Sequence, residues 1–317
     1  MSAKTRRGLR NIIGLGGVKK RANTVDIAGN TRILGVFGCP VEHSVSPAMH
    51  NAAIRALGLN YVYVPFHVRP DMLSGAIQGL RAMEIAGANI TIPHKQAVIP
   101  LLDSVSDRAR LVDSVNIIAN EAGVLSGDSA DGAGFLRSVE NEWGSVQGAS
   151  ALILGAGGSA KAIAFALADA GCSVMISNRT GSRANELARG VCRAYGEGAA
   201  EVVDDVDEAL RAALSGCDLL INTTSLGMYP RIDGIPVNPE LLRSGLKVYD
   251  IVYNPLKTRL LAEAERRGAK TASGIEMLVF QGAISFEKWT GCEAPVDIMR
   301  DAALAALGSA GEVNGNS

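Results

Sequence analysis

Ala151-Leu152-Ile153-Leu154-Gly155-Ala156-Gly157-Gly158-Ser159-Ala160 decides the fold of this chain. Four apolar residues read as a buried strand, and they run directly into a glycine turn and then into Lys161 to Ala170, whose apolar residues recur at helical spacing. Strand, G-x-G-x-x-A and helix in this order form the context in which a glycine turn holds a dinucleotide. Gly155 permits the tight turn, and Gly157 lets backbone N–H groups approach a pyrophosphate that also meets the positive end of the helix. Ala160 is small enough for the helix to pack on the strand. A purely structural turn would also use glycines, but a second strand, Ser173 to Ser177, follows the helix in register and favours the nucleotide reading.

That second strand ends in Asn178-Arg179-Thr180, with Arg183 close behind. An NAD site would place an Asp or Glu there for the ribose 2′-hydroxyl, whereas a guanidinium suits a 2′-phosphate. The expected cofactor is therefore NADP. Arg179 as a solvated surface cation is the alternative, although the missing carboxylate argues separately against NAD.

Upstream, a short strand over Ile33 to Phe37 precedes a helix announced by Ser46-Pro47, with Ser46 read as its N-cap and Gly58 after its last turn. Tyr61 to Val68 is strand-like, Asp71 to Met83 helical, and Ala88 to Ile92 again a strand. This β-α-β-α-β series predicts a mainly parallel sheet covered by helices. A hairpin around Ile117 to Leu125 and a helix from Asp131 lead into the nucleotide motif. The fold class expected is α/β in two domains, as 317 residues also suggest.

Residues 1–30 carry Arg6, Arg7, Arg10, Lys19, Lys20 and Arg21 with no acid before Asp26, and read as a basic, disordered extension; a transit peptide or a cloning remnant would look similar. With 31 basic and 32 acidic side chains the net charge is -1, so nothing global draws the chain to nucleic acid or to an anionic membrane. No apolar run approaches the roughly eighteen residues of a membrane span. The five cysteines lack metal-ligand spacing, which implies no metal and a reduced, cytoplasmic setting, with Cys172 and Cys217 as buried apolar thiols.

Four polar clusters remain: His43-Ser44-Val45-Ser46-Pro47, Gly87 to Lys95, Ser114-Val115-Asn116, and Gly127-Asp128-Ser129-Ala130-Asp131-Gly132. Their order, followed by the nucleotide motif and then by Ile221 to Met228, Tyr249 to Pro255 and Gly274 to Ala283, resembles the shikimate dehydrogenase family from about Thr31 to Gly291. The resemblance implies that Ser44, Ser46 and Thr91 hold a substrate carboxylate and that Asn89, Asn116 and Gln281 bind ring hydroxyls, with Tyr253 lining the pocket. It assigns catalysis to Lys95 and Asp131. Cofactor contacts fall to Gly155, Ala156, Gly157, Gly158, Ser159, Ala160, Asn178, Arg179, Thr180, Arg183, Thr223, Gly274 and Met277. It further implies a discontinuous substrate-binding domain, residues 31–130 plus 274–310, enclosing a Rossmann-type NADP domain over 131–273. The implied partner is a small molecule, 3-dehydroshikimate or shikimate, and the implied assembly a monomer or homodimer.

The chemistry of the pair stands beside the resemblance. Oxidising a secondary alcohol takes hydride from carbon and a proton from oxygen, and a lysine shielded from bulk water is able to receive that proton while a carboxylate orients it. A structural ion pair is the competing reading. Where the family usually reads Asn-Thr-Asp this chain has Ser129-Ala130-Asp131, and Ile117 stands where a threonine is usual. These departures leave quinate, an amino-substituted shikimate, or a feebly catalytic NADP-binding sensor as alternatives; retention of both Lys95 and Asp131 speaks against the sensor.

Overall fold

The structure, a computed structural model, describes residues 27–313; the basic segment ahead of Ile27 lies outside the described residues. The first sheet is built from β1 (Arg32–Gly38), β2 (Tyr61–His67), β3 (Gly87–Ile90), β4 (Ser104–Val105), β5 (Ile117–Glu121) and β6 (Val124–Asp128) in the order β2-β1-β3-β5-β6-β4. Only β5 runs against its neighbours, so the sheet is mainly parallel as expected. The β5–β6 hairpin turns on Ala122 and Gly123, both at positive φ, and the amide of Gly123 is held by Asn120 Oδ1. Helices α1 (Ser46–Ala56), α2 (Leu73–Ala82) and α3 (Asp107–Val112) cover this sheet.

Helix α4 (Asp131–Trp143) leads to the second sheet, β7 (Ser150–Leu154), β8 (Ser173–Ser177), β9 (Ala200–Val202), β10 (Leu219–Asn222), β11 (Lys247–Asp250) and β12 (Lys270–Ser273). All its pairings are parallel, in the order β12-β11-β10-β7-β8-β9. This is the doubly wound arrangement, and its strand order reverses between β7 and β10, where ligands of such sheets bind. Helices α5 (Gly158–Asp169), α6 (Gly181–Tyr195), α7 (Asp207–Gly216) and α8 (Arg259–Arg266) connect the strands, and α9 (Ile275–Thr290) and α10 (Val296–Val313) follow the last one.

Two helices join the halves. In α9, Met277 packs into the core of the second sheet while Ile275, Val279, Ala283 and Phe286 pack into that of the first. Along α4, a side chain at Gly134 would stand 2.7 Å from the Gln281 backbone of α9, and one at Gly132 2.6 Å from the Ala162 carbonyl of α5. Small residues let α4 seat between these neighbours, and that seating fixes Asp131 at its first turn. Tyr249 completes the joint: its hydroxyl lies 2.8 Å from Ser138 Oγ of α4 and accepts from the amide of Met277 of α9 at 3.2 Å.

Candidate active site

The C-terminal ends of both sheets open onto one cleft of about 1640 Å³, wide enough for a dinucleotide and a small ring together. Its walls bring together Ser44, Ser46, Asn89, Thr91, Lys95, Asn116, Asp131, Tyr253 and Gln281 with Ala156, Gly157, Gly158, Ser159, Arg183, Thr223, Gly274 and Met277. Gly155, Ala160, Asn178, Arg179 and Thr180 are not on the wall.

At the centre, Lys95 Nζ donates to Asp131 Oδ2 at 2.5 Å. The lysine side chain is 25% exposed and the aspartate 3%, so the ammonium faces the cleft from a carboxylate sealed behind it. Asp131 Oδ1 accepts from Asn116 Nδ2 at 2.7 Å, and the same nitrogen donates to Gln281 Oε1 at 2.9 Å. Asn116 Oδ1 in turn accepts from the Ala130 amide at 2.8 Å. Asn89 is equally engaged: it donates to the Asn116 carbonyl at 3.1 Å and to Ser285 Oγ at 2.9 Å, and accepts from the Tyr63 hydroxyl at 2.7 Å. Both asparagines therefore brace the wall as well as line it. Burial pushes the hydroxyls of Tyr63 and Tyr253 above the ordinary phenol range, so both stay protonated as donors.

The start of α1 differs from the reading of Ser46 as N-cap. Val45 is the cap residue, in a right-handed conformation, and no side chain caps the helix. Instead Ser44 Oγ accepts from the Ser46 amide at 3.3 Å. Ser44 thus has the local structural contact, and Ser46, already inside the first turn, is the hydroxyl released from capping.

Behind Lys95 and Asp131, Asp128 is a clasp. It accepts from Ser106 Oγ at 2.7 Å, Arg108 at 2.8 Å, Lys288 at 3.0 Å and the Ser129 amide at 2.8 Å. Burial pushes its carboxyl up, but these donors outweigh it and hold it at about 2. Sequence reading listed Asp128 only as part of a cluster; its partners Arg108 and Lys288 lie far from it along the chain.

On the nucleotide side, Gly155 has φ +115°, and a side chain there would meet Thr223 Oγ1 at 2.5 Å, so the turn requires glycine. Thr223 Oγ1 donates to the Leu154 carbonyl at 2.7 Å and closes the switch point. At Gly157 and Gly158 open space stands where a Cβ would project, which leaves the N-terminus of α5 accessible to a phosphate. Ala160 is fully buried against the strand as expected. Asn178 donates to the Thr180 carbonyl at 2.9 Å and shapes the loop after β8. Arg179 and Arg183 are exposed there and, among the described residues, have no acidic partner, and the strand end bears no carboxylate. These features fit a dinucleotide carrying a 2′-phosphate. Lys161 and Arg193 also line the cleft and were not anticipated; Lys161 lies four residues past Gly157, a spacing from which it was legible.

Among curated proteins, the NADP(+)-dependent shikimate dehydrogenase of Moorella thermoacetica is 48% identical over 286 residues, covering 90% of this chain and 97% of that protein. The chain belongs to the shikimate dehydrogenase family. Family models agree with that assignment: the shikimate dehydrogenase substrate binding domain matches residues 36–118, shikimate / quinate 5-dehydrogenase 137–228, and the shikimate 5′-dehydrogenase C-terminal domain 274–304. A crystal structure of shikimate dehydrogenase in complex with NADP+ superposes with TM-score 0.85 at 42% identity, covering 89% of this chain and 98% of that one. Shikimate 5-dehydrogenase of Listeria monocytogenes, solved with shikimate and NAD, gives 0.83 at 36% identity, covering 88% and 98%. The expected α/β, two-sheet shikimate dehydrogenase fold is thereby borne out. Among the described residues no helix is long and apolar enough to cross a membrane, and no group of His, Cys, Asp and Glu is arranged to hold a metal ion.

Proposed function

We propose that this chain is an NADP-dependent shikimate dehydrogenase, reversibly reducing 3-dehydroshikimate to shikimate on the way to aromatic amino acids in a reducing, cytoplasmic setting. The observation that carries the reading is the 2.5 Å contact of Lys95 with the buried Asp131, on the wall of the cleft that also contains the open Gly157-Gly158 cradle. Residues 31–130 with 274–310 form the substrate-binding part in this reading, and 131–273 the cofactor-binding part.

Ser44 and Ser46, at the start of α1, and Thr91, at the end of β3, hold the substrate carboxylate. Gln281 has its oxygen engaged by Asn116, which leaves its amide nitrogen to donate to a ring hydroxyl. In reduction the Lys95 ammonium gives its proton to the ketone oxygen; in oxidation the amine takes the proton from the hydroxyl. Asp131 keeps Nζ aimed, and Asn116 keeps Asp131 from turning. When bound, NADP supplies the complementary half, accepting or delivering hydride. Gly155 to Ala160 would hold its pyrophosphate, Arg179 and Arg183 its 2′-phosphate, and Thr223, Gly274 and Met277 the nicotinamide end.

The departures at Ser129 and Ala130 from the family's usual residues bear only indirectly on the choice between shikimate and a related ring acid, because both side chains are buried and neither lines the cleft. Initial rates with shikimate, quinate and aminoshikimate, each with NADP and with NAD, decide between them. The proposal expects the highest kcat/KM for shikimate with NADP, and a higher value for quinate or with NAD overturns it.

A further inference from the structure

A second row of reactive side chains stands beside the same cleft, apart from Lys95 and Asp131, and reaches its wall through Glu42. Cys39, half-buried just past the end of β1, places its sulfur 3.4 Å from His67 Nε2. His67 Nδ1 lies 2.9 Å from Glu42 Oε1, and Glu42 Oε2 accepts from the Val41 amide at 3.0 Å. With Nδ1–H donating to the carboxylate, the Nε2 lone pair faces the thiol. Backbone N–H groups at Glu42 and Val41, with His67 behind them, hold the Glu42 carboxyl below its ordinary range, so it stays ionised and keeps that tautomer. Nucleophile, base and a third group orienting the base are the parts that activate a weak nucleophile.

None of the other four cysteines is placed this way. Cys192 and Cys292 face the backbone carbonyls of Ala200 and Thr290, and Cys172 and Cys217 are buried, their thiols pushed up to about 12 and about 11 chiefly by that burial. A thiol so desolvated, or facing only an acceptor oxygen, has no base to take its proton.

We infer that Cys39 is a nucleophilic thiol, deprotonated by His67, that takes soft electrophiles and peroxides beside the substrate cleft. With an alkyl halide, the thiol proton passes to His67 Nε2, the sulfur forms a bond to carbon, and halide leaves with the bonding pair. With a peroxide, sulfur is oxidised to the sulfenic acid as the O–O bond breaks, and the peroxide is reduced to water or an alcohol. The Cys39 backbone is tied to the substrate side of the cleft. The Cys39 amide is bonded to the Ile92 carbonyl at 3.0 Å, next to Thr91, and His67, its partner, is held by Glu42 on the cleft wall. A group added at Cys39 breaks its contact with His67 and so disturbs Glu42 and the segments that carry Ser44 and Thr91, a consequence that rests on the substrate reading above.

The test uses the full chain at pH 7 with limiting iodoacetamide, the alkylated cysteines being located by peptide mass spectrometry. Cys39 is expected to react about tenfold faster than in His67→Ala, and also faster than in Glu42→Gln, because an unassisted thiol is only a few per cent ionised at this pH. Equal rates in the wild-type chain and His67→Ala overturn the assignment. Alkylated wild-type protein is expected to show a severalfold higher KM for shikimate with KM for NADP unchanged, while Cys39→Ser keeps basal activity and does not respond to the reagent. Fast alkylation with unchanged KM overturns the link to the pocket. If the unmodified chain does not turn over shikimate, the functional reading fails, and the alkylation rates still judge the thiol.

Discussion

Asn116 fixes Asp131: one amide nitrogen bonds the carboxylate at 2.7 Å while the amide oxygen holds the backbone at Ala130, one residue before it. The asparagine therefore sets both the position and the rotation of the group that aims Lys95. Asn116→Ala removes the donor to Asp131 and Gln281 and the acceptor for Ala130, leaving buried polar groups unpaired. Stability is expected to fall by about 2 kcal/mol, and kcat by roughly tenfold. Urea denaturation and steady-state kinetics check the two numbers, and unchanged kcat in a folded variant counts against the bracing role.

In the proposed mechanism Lys95→Ala removes the group that gives and takes the proton. A loss of roughly 10²-fold or more in kcat is expected, with KM much less changed. Normal turnover by this variant would reduce the Lys95–Asp131 contact to a structural ion pair.

Arg179 and Arg183 carry the expected discrimination between cofactors. Replacing either by Ala is expected to raise KM for NADP about tenfold, the equivalent of one lost charge-assisted contact to phosphate, and to leave KM for NAD nearly unchanged. Parallel shifts for both cofactors would remove the 2′-phosphate from the account.

Asp128 gives a pH signature. Its carboxyl is held at about 2 against 3.8 for an unperturbed aspartate, so the folded state binds fewer protons than the unfolded one in between. The resulting stabilisation is fully present above pH 3.8 and is lost as pH falls toward 2. Asp128→Asn is expected to lower stability by about 2 kcal/mol at pH 7, with the gap to wild type narrowing by about half at pH 3. Urea midpoints across that range measure it, and a constant gap contradicts the clasp.

Gly134→Ala tests the seating of α4. The added methyl would meet the Gln281 backbone at 2.7 Å, a contact that only movement of α4 or α9 relieves. A stability loss of about 1–3 kcal/mol is expected, together with a raised substrate KM as Gln281 is displaced. Wild-type values for both would show that the helices have slack.

Much of this architecture was legible locally. The strand before Gly155, the glycine turn and the helix after it form one contiguous segment whose period and punctuation need no distant partner, and the second strand was placed at Ser173 to Ser177 as observed. Other features depended on contacts across the fold. Whether Ser44 or Ser46 serves the helix start depends on the backbone conformation of Val45, which residue type leaves open. Asn89 looked like a ligand group alone, yet it shares its amide with Ser285, 196 residues away. The Cys39–His67–Glu42 row shows no motif spacing because β1 and β2 bring it together only once paired.

Helix α9 has a consequence for how the chain is made. The core of the first sheet includes Ile275, Val279, Phe286, Trp289 and Met299, so the half synthesised first lacks a large part of its interior until residues 275–299 have been translated. The second sheet, contiguous from β7 to β12, is able to collapse earlier. The amino-terminal half must then wait, incompletely packed, for α9 and α10 to dock.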